Sequence, residues 1–445
     1  MPVCPLDFRY GRDEAKSIFS HEHRILSMLQ VEAALARAHA SLGNIPPECA
    51  DEITRHATLE SVSPDRVDEI ERETRHDVMA LVKALAEKCS DEAGGYIHLG
   101  ATSYDIVDTS LALQMKDGIT LIITDLDRLF GSLSDLAFKY RDTPMLGRTH
   151  GQSAVPVTFG LKMAVFAAET RRHTKRLEEC IDRVCVGKMS GAVGTAASYG
   201  KDGLELQRLV MKELGIGEEE ASTQIVQRDR FIEAVGHLVN ICTTVEKCAT
   251  EVRNLQRSEI GEVAEAFEAK KQVGSSTMPH KQNPIVCENI TGLARLARGF
   301  YTPLVEGAVQ WHERDLSNSA SERFVLPHVF ILTDDILIKM ADVFSNLRIF
   351  PERMLENLEN SGGFFMAESV MMKLVGKGTG RQEAHEIVRE NSHRARSEGK
   401  SLKDALMEDD RVVGKLGPDG LDAALDPMSY LGCSGEIVDR VLKSD

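Results

Sequence analysis

Apolar residues recur at alternating four- and three-residue steps over Met115, Ile119, Ile122, Leu126, Leu129, Leu133 and Leu136. That spacing keeps them on one stripe of an α-helix and predicts a long bundle helix sustained for about three heptads. The same spacing returns at Phe231, Val235, Leu238, Cys242, Val245, Ala249 and Val252, in a stretch without proline from 223 to 278. It predicts a second helix of about forty residues, roughly 60 Å long at the α-helical rise. Further helical patterns cover 156–188 and 285–301. Before them, residues 1–108 read as short helices broken by turn signals such as Gly43–Asn44–Ile45–Pro46–Pro47 and Gly94–Gly95. After about Phe350 the seam is lost, and Gly362–Gly363, Gly376–Lys377–Gly378 and Asp426–Pro427 punctuate shorter helices. The expectation is an all-α chain with an N-terminal domain (1–108), a central long-helix bundle (109–349) and a C-terminal domain (350–445). The long helices carry more apolar stripe than one subunit of this size covers, which predicts a homo-oligomer. A single-chain coiled-coil scaffold is the alternative, and it predicts no polar loops at the helix ends.

Polar loops are present. The longest, residues 271–288 (KQVGSSTMPHKQNPIVCE), has neither a helical nor a strand period and carries Gly274, Pro279 and Pro284. Loops of that length inside compact domains are usually lids or binding loops. Ser275 and Ser276 beside glycine, the triplet Lys281–Gln282–Asn283, and Glu288 in the first turn of the next helix supply an anion site with a nucleophile or base. Other loops are 98–105 (HLGATSYD), 147–152 (GRTHGQ), 188–195 (KMSGAVGT), 223–230 (TQIVQRDR) and 311–323 (WHERDLSNSASER). In 73–78 (ETRHDV), Thr74 reads as an N-cap and Asp77 as a first-turn carboxylate favoured by the helix dipole. Ser103 or Asp105 is placed to cap the helix that follows. Ser319 and Arg323 are four apart and share a helix face.

A formal net charge of −16 leaves no overall basic field for nucleic acid or an anionic membrane, so an anionic small substrate requires locally placed arginines. Nine scattered cysteines, an odd number without metal-ligand spacing, suggest reduced thiols in the cytoplasm and no metal site. No apolar run reaches the length of a membrane span, and no signal peptide is recognisable.

The string GSSTMPHKQNP resembles the signature loop of the fumarase/aspartase superfamily, whose members make or break a C–N or C–O bond with elimination of fumarate. RHDV at Arg75, TSYDIVDT at Thr102, GRTHGQ, KMSGAVGT, TQIVQRDR and WHERDLSNSASER all resemble adenylosuccinate lyases, and the resemblance runs nearly end to end. It implies a homotetramer with a shared helical core and active sites built from several subunits. The implied reactions are cleavage of adenylosuccinate to AMP and fumarate, and of the succinylated aminoimidazole carboxamide ribotide to its carboxamide and fumarate, without cofactor or metal. The chain departs from the family at Tyr104, usually serine or threonine; at Ser153–Ala154–Val155–Pro156, usually His-Ala-Glu-Pro; and at Asn318, commonly histidine. A carboxymuconate cycloisomerase or another lyase of the superfamily is the rival, and a non-enzymatic reuse of the scaffold is the third reading.

The elimination needs a proton removed from carbon, charge held on the neighbouring carboxylate, and a proton given to the leaving nitrogen. A serine hydroxyl is a poor base at its ordinary pKa, so its alkoxide must be stabilised, here by Lys281 and loop N–H groups. By resemblance Ser275 is the base, with Ser276 its rival, and His150 is the acid, tuned by Glu288 across a subunit boundary. Arg9, Tyr10, Arg314, Ser319 and Arg323 resemble the set that binds the nucleotide phosphate. Arg75, His76, Asp77, His98, Thr102, Ser103, Gln224, Ser276 and Asn283 complete the expected substrate contacts.

Overall fold

The computed structural model describes residues 3–267, 277–278 and 280–443. Helices dominate, and the chain forms two compact units. The first comprises Met1–Asp127, Arg172–Val245 and Gly292–Ile338; the second comprises Arg128–Arg171, Glu246–Thr291 and Lys339–Asp445.

In the first unit, α1 (His21–Ser41) starts where the Ser20 side chain accepts the His23 N–H. Its Leu29 and Leu35 join Ile53, Val78, Leu81 and Leu85 in the core. α2 (Pro64–Thr74) begins on a Ser63 cap with proline at its first position and ends at Arg75 in the left-handed region (φ 54°). α3 (Asp77–Ala86) follows at once. Its N-cap is His76, whose side chain accepts from the Met79 N–H, and not Thr74. Thr74 is still helical and turns its hydroxyl back to the Ile70 carbonyl, so the expected cap belongs two residues later.

α4 (Ser103–Lys139) bears the first heptad seam, and Met115, Ile119, Ile122, Leu126, Leu129 and Leu133 are at most 1% exposed. In the second unit, β1 (Pro144–Thr149) and β2 (Gln152–Thr158) form an antiparallel hairpin where a loop and the start of a helix were expected. Val155–Pro156–Val157–Thr158 is β-branched apart from a proline, which favours extended backbone. The helix expected from 156 therefore starts later, as α5 (Phe159–Val184).

The second seam lies on α6 (Asp229–Leu255), and all seven of its named positions are at most 3% exposed. This helix has 27 residues and not about forty. Both ends have better outlets for their backbone groups than continued helix. The Val226 N–H donates to Asp108 at 2.8 Å and the Val226 carbonyl accepts from Arg228 at 2.6 Å. At the other end Gly261 turns through φ 64°, and Val263–Ala264 pairs with Arg348–Ile349. α7 (Ile285–Gly299) and α8 (Ser317–Ser345) follow. From Pro351 onward the α-helices run from 6 to 18 residues, with Val370, Leu374, Ile387, Leu402, Leu406, Val412 and Leu421 in one core cluster. Among the described residues all nine cysteines are free, and no helix is long and apolar enough to cross a membrane.

Candidate active site

Two buried charge clusters in the first unit hold the polar loops. Asp105, fully buried on the first turn of α4, accepts from the Thr102 N–H at 2.9 Å, one half of a capping box. It also accepts from Lys188 Nζ, from the Ser190 N–H at 3.0 Å, from the Gly191 N–H at 3.1 Å and from the Tyr199 hydroxyl at 3.1 Å. Burial and the Asp105 charge push the Tyr199 phenol up, so it remains a donor. One carboxylate thus ties the 98–105 loop to the 188–195 loop. One turn further along α4, Asp108 pairs with Arg228 at 2.7 Å, and Arg228 in turn reaches Glu322 of α8 at 2.9 Å. That second cluster ties 223–228 and the start of α8 to the same helix.

The loops so held line a cleft of about 790 Å³, within the range of small-ligand sites. Arg75, His76, Asp77, Thr102, Ser103, Gln224, Arg314, Ser319 and Arg323 line it, so nine of the expected substrate contacts converge there. Asp77 accepts from Arg24 at 2.7 Å and from Arg323 at 3.3 Å. Burial works to raise its carboxyl, but the two guanidiniums and the Val78 N–H hold it below the ordinary value. His76 Nδ1 accepts the Met79 N–H, which puts its proton on Nε2, 3.3 Å from the Ser103 hydroxyl. The Arg314 guanidinium carbon lies 3.3 Å from the centre of the Tyr104 ring.

The other expected contacts lie elsewhere. His98 is not among the cleft-lining residues; its Nδ1 is 2.6 Å from Glu32. Burial works to lower this imidazole, but the Glu32 hydrogen bond and charge outweigh it and raise it. Arg9 and Tyr10 also lie outside the lining, on the segment that Arg12 fastens to Asp125 (2.8 Å) and Asp334. Burial and the Asp334 neighbour push the Asp125 carboxyl up, against the lowering pull of Arg12.

His150, Lys281, Asn283 and Glu288 belong to the second unit. His150 and Gly151 are the two-residue turn of the β1–β2 hairpin, with φ 53° and 73°, as a type I′ turn demands. The imidazole is therefore displayed on an exposed tip. The hairpin itself is held by Arg148, which forks onto buried Glu262 at 2.8 and 2.9 Å. Lys281 and Glu288 are exposed and Asn283 half-buried. The Glu265 carboxylate caps α7 by accepting the Val286 and Cys287 N–H groups at 3.1 and 2.7 Å, and Arg348 grips the Gln282 side chain at 2.6 Å. No hydrogen bond joins His150 to Glu288 among the described residues. Ser275 and Ser276 lie outside the described residues.

Glu32, Asp105, Asp108, Lys188, Arg228, Glu262, Glu265 and Glu322 were not read from the sequence as site-building groups. Lys188, between Gly187 and Met189 in an apolar run, was the available signal. A second signal lies in the backbone. Among the described residues five that are not glycine have positive φ, namely Arg75, His98, His150, Ala196 and His312, and four of them sit in segments singled out from the sequence. Strained backbone of this kind collects at functional sites.

A family model described as "Lyase" matches residues 7–299, and one described as "Adenylosuccinate lyase C-terminus" matches 363–441. The adenylosuccinate lyase of Methanothermobacter thermautotrophicus is 48% identical over 100% of this chain and 99% of its own length. That of Pyrococcus abyssi is 47% identical over 99% and 98%. Among solved structures, a fumarate lyase from Mesorhizobium sp. BNC1 has a TM-score of 0.91 and 36% identity, covering 100% of both chains. The 3-carboxy-cis,cis-muconate lactonizing enzyme of Pseudomonas putida has a TM-score of 0.88 and 32% identity, covering 98% of each. Full-length identity at this level, with both family models matched in order, places the chain in the adenylosuccinate lyase family of the fumarase/aspartase superfamily, as a lyase acting on a C–N bond.

Proposed function

We propose that this chain eliminates fumarate from adenylosuccinate, releasing AMP, and from succinylaminoimidazole carboxamide ribotide, releasing the carboxamide ribotide. The observation that carries this reading is the cleft itself. A substrate with one phosphate and two carboxylates needs several cationic and hydroxyl donors on one wall, and Arg75, Arg314, Arg323, Ser103, Thr102 and Ser319 supply them. Ser275 takes the proton from carbon, and Lys281 with the loop N–H groups holds the developing charge. His150 protonates the leaving nitrogen, with Glu288 as its carboxylate partner from another subunit. The apolar stripes of the long helices, together with the family resemblance, support a homotetramer in which each site draws on more than one copy. Arg9, Tyr10, His98 and Asn283 complete the substrate contacts. The acid composition and free thiols support a cytoplasmic enzyme.

The test is to mix the purified protein with adenylosuccinate, without added metal, and follow the absorbance as AMP and fumarate form. Cleavage is expected. Absence of cleavage by a folded oligomer would overturn the assignment. The similarity to the Pseudomonas putida lactonizing enzyme favours 3-carboxy-cis,cis-muconate as the second substrate to try.

A further inference from the structure

Tyr104 sits in the first turn of α4 at a place shared by two cavities, the cleft described above and an adjoining chamber of about 290 Å³ walled by Phe19, Val107, Leu111 and Leu326. Arg24, Asp108, Glu322 and Arg323 line the same chamber, so the ring stands between two cavities that both carry charged groups. The Arg314 guanidinium lies over that ring at 3.3 Å, a stacked cation–π contact. The remaining contacts of Arg314 are weak. Nε donates to the Asp315 carbonyl at 3.2 Å, Nη1 to Gln224 Oε1 at 3.4 Å, and Nη2 is buried without a hydrogen-bond partner among the described residues. A long side chain with rotamer freedom is held here chiefly by an aromatic face.

We infer that Tyr104 is a positioning residue that sets the preference of this site for phosphorylated over unphosphorylated ligands, by fixing Arg314 before the ligand arrives. The inference rests on the reading of Arg314 as a phosphate contact. A guanidinium already fixed by stacking loses less freedom on binding an anion than a free one. The ring acts through its face, so the hydroxyl is dispensable.

The experiment measures binding of AMP and of adenosine by calorimetry, with KM and kcat for adenylosuccinate, in wild type, Tyr104→Ser and Tyr104→Phe. Tyr104→Ser is expected to weaken AMP and raise KM by about tenfold, while adenosine binding and kcat change by less than about twofold. Tyr104→Phe is expected to restore AMP binding to wild-type strength. Equal losses for AMP and adenosine would overturn the inference, because the ring would then be touching the nucleoside. So would a Tyr104→Phe variant as weak as Tyr104→Ser. Wild type that cleaves adenylosuccinate but binds AMP no better than Tyr104→Ser sinks this inference alone; wild type that neither cleaves adenylosuccinate nor binds AMP sinks the functional reading with it.

Discussion

Replacing Asp105 with asparagine tests how the cleft is built. The side chain is fully buried and receives five donors, one of them the ammonium of Lys188, which is itself fully buried. Asparagine keeps the shape and removes the charge. Lys188 is then a buried cation without a counter-ion, a change that costs about 3–5 kcal/mol. The new amide NH₂ must also face donors, either Tyr199 and Thr102 or Ser190 and Lys188. At roughly 2–4 °C per kcal/mol for a domain of this size, the melting temperature falls by roughly 6–20 °C. Activity falls as well, because Thr102, Ser103 and the 189–195 backbone lose their common anchor and misplaced contacts reduce turnover. The decisive comparison is the pair Asp105→Asn with Lys188→Met. Removing both charges is close to neutral for a buried ion pair, so the double variant recovers at least about half of the lost melting temperature. It does not recover kcat/KM, since the single amide oxygen can serve either the Thr102 side or the Ser190 side of the set but not both. Thermal melts by circular dichroism and steady-state kinetics read both quantities. A single variant melting within about 2 °C of wild type, or a double variant less stable than the single, would refute the account of Asp105 as the anchor.

Ser275→Ala and His150→Asn should each lower kcat by about 10²–10⁴-fold, with asparagine chosen because it tolerates the positive φ at that turn; normal turnover in folded Ser275→Ala moves the base to Ser276 or elsewhere. Mixing the two inactive variants, with subunit exchange verified, should restore part of the activity, and no recovery would refute sites shared between subunits. His98 is raised in the folded protein by Glu32, so its contribution to stability is complete below the unfolded imidazole value of roughly 6.5 and is lost as pH rises through the folded one. The gap in urea midpoint between wild type and His98→Asn should therefore narrow as pH rises, and a gap that widens would contradict the pairing.

The loops with chemistry were legible because their residue types are chemically distinctive and they interrupt an otherwise helical period. Gly147–Gln152 shows the boundary of that legibility. Its role as a polar connection was readable, but its form as a hairpin tip was not, because the register depends on Gly147, where a Cβ would lie 2.3 Å from the Val155 carbonyl oxygen. The extent of α6 was misread for a related reason. Freedom from proline permits a long helix, whereas the actual ends follow from hydrogen bonds offered by Asp108 and by the strand at Arg348–Ile349.

By itself the sequence determined the long helices and their buried stripes, because a helix closes its hydrogen bonds within four residues and its apolar period is local. It also determined which residue types stand at the helix ends. Only the tertiary structure decided which of those ends meet. Asp105 finds Lys188 and Tyr199 at separations of 83 and 94 residues, and Arg228 finds Asp108 and Glu322 at 120 and 94. A buried charge has to be paired, but nothing in its local sequence says with what.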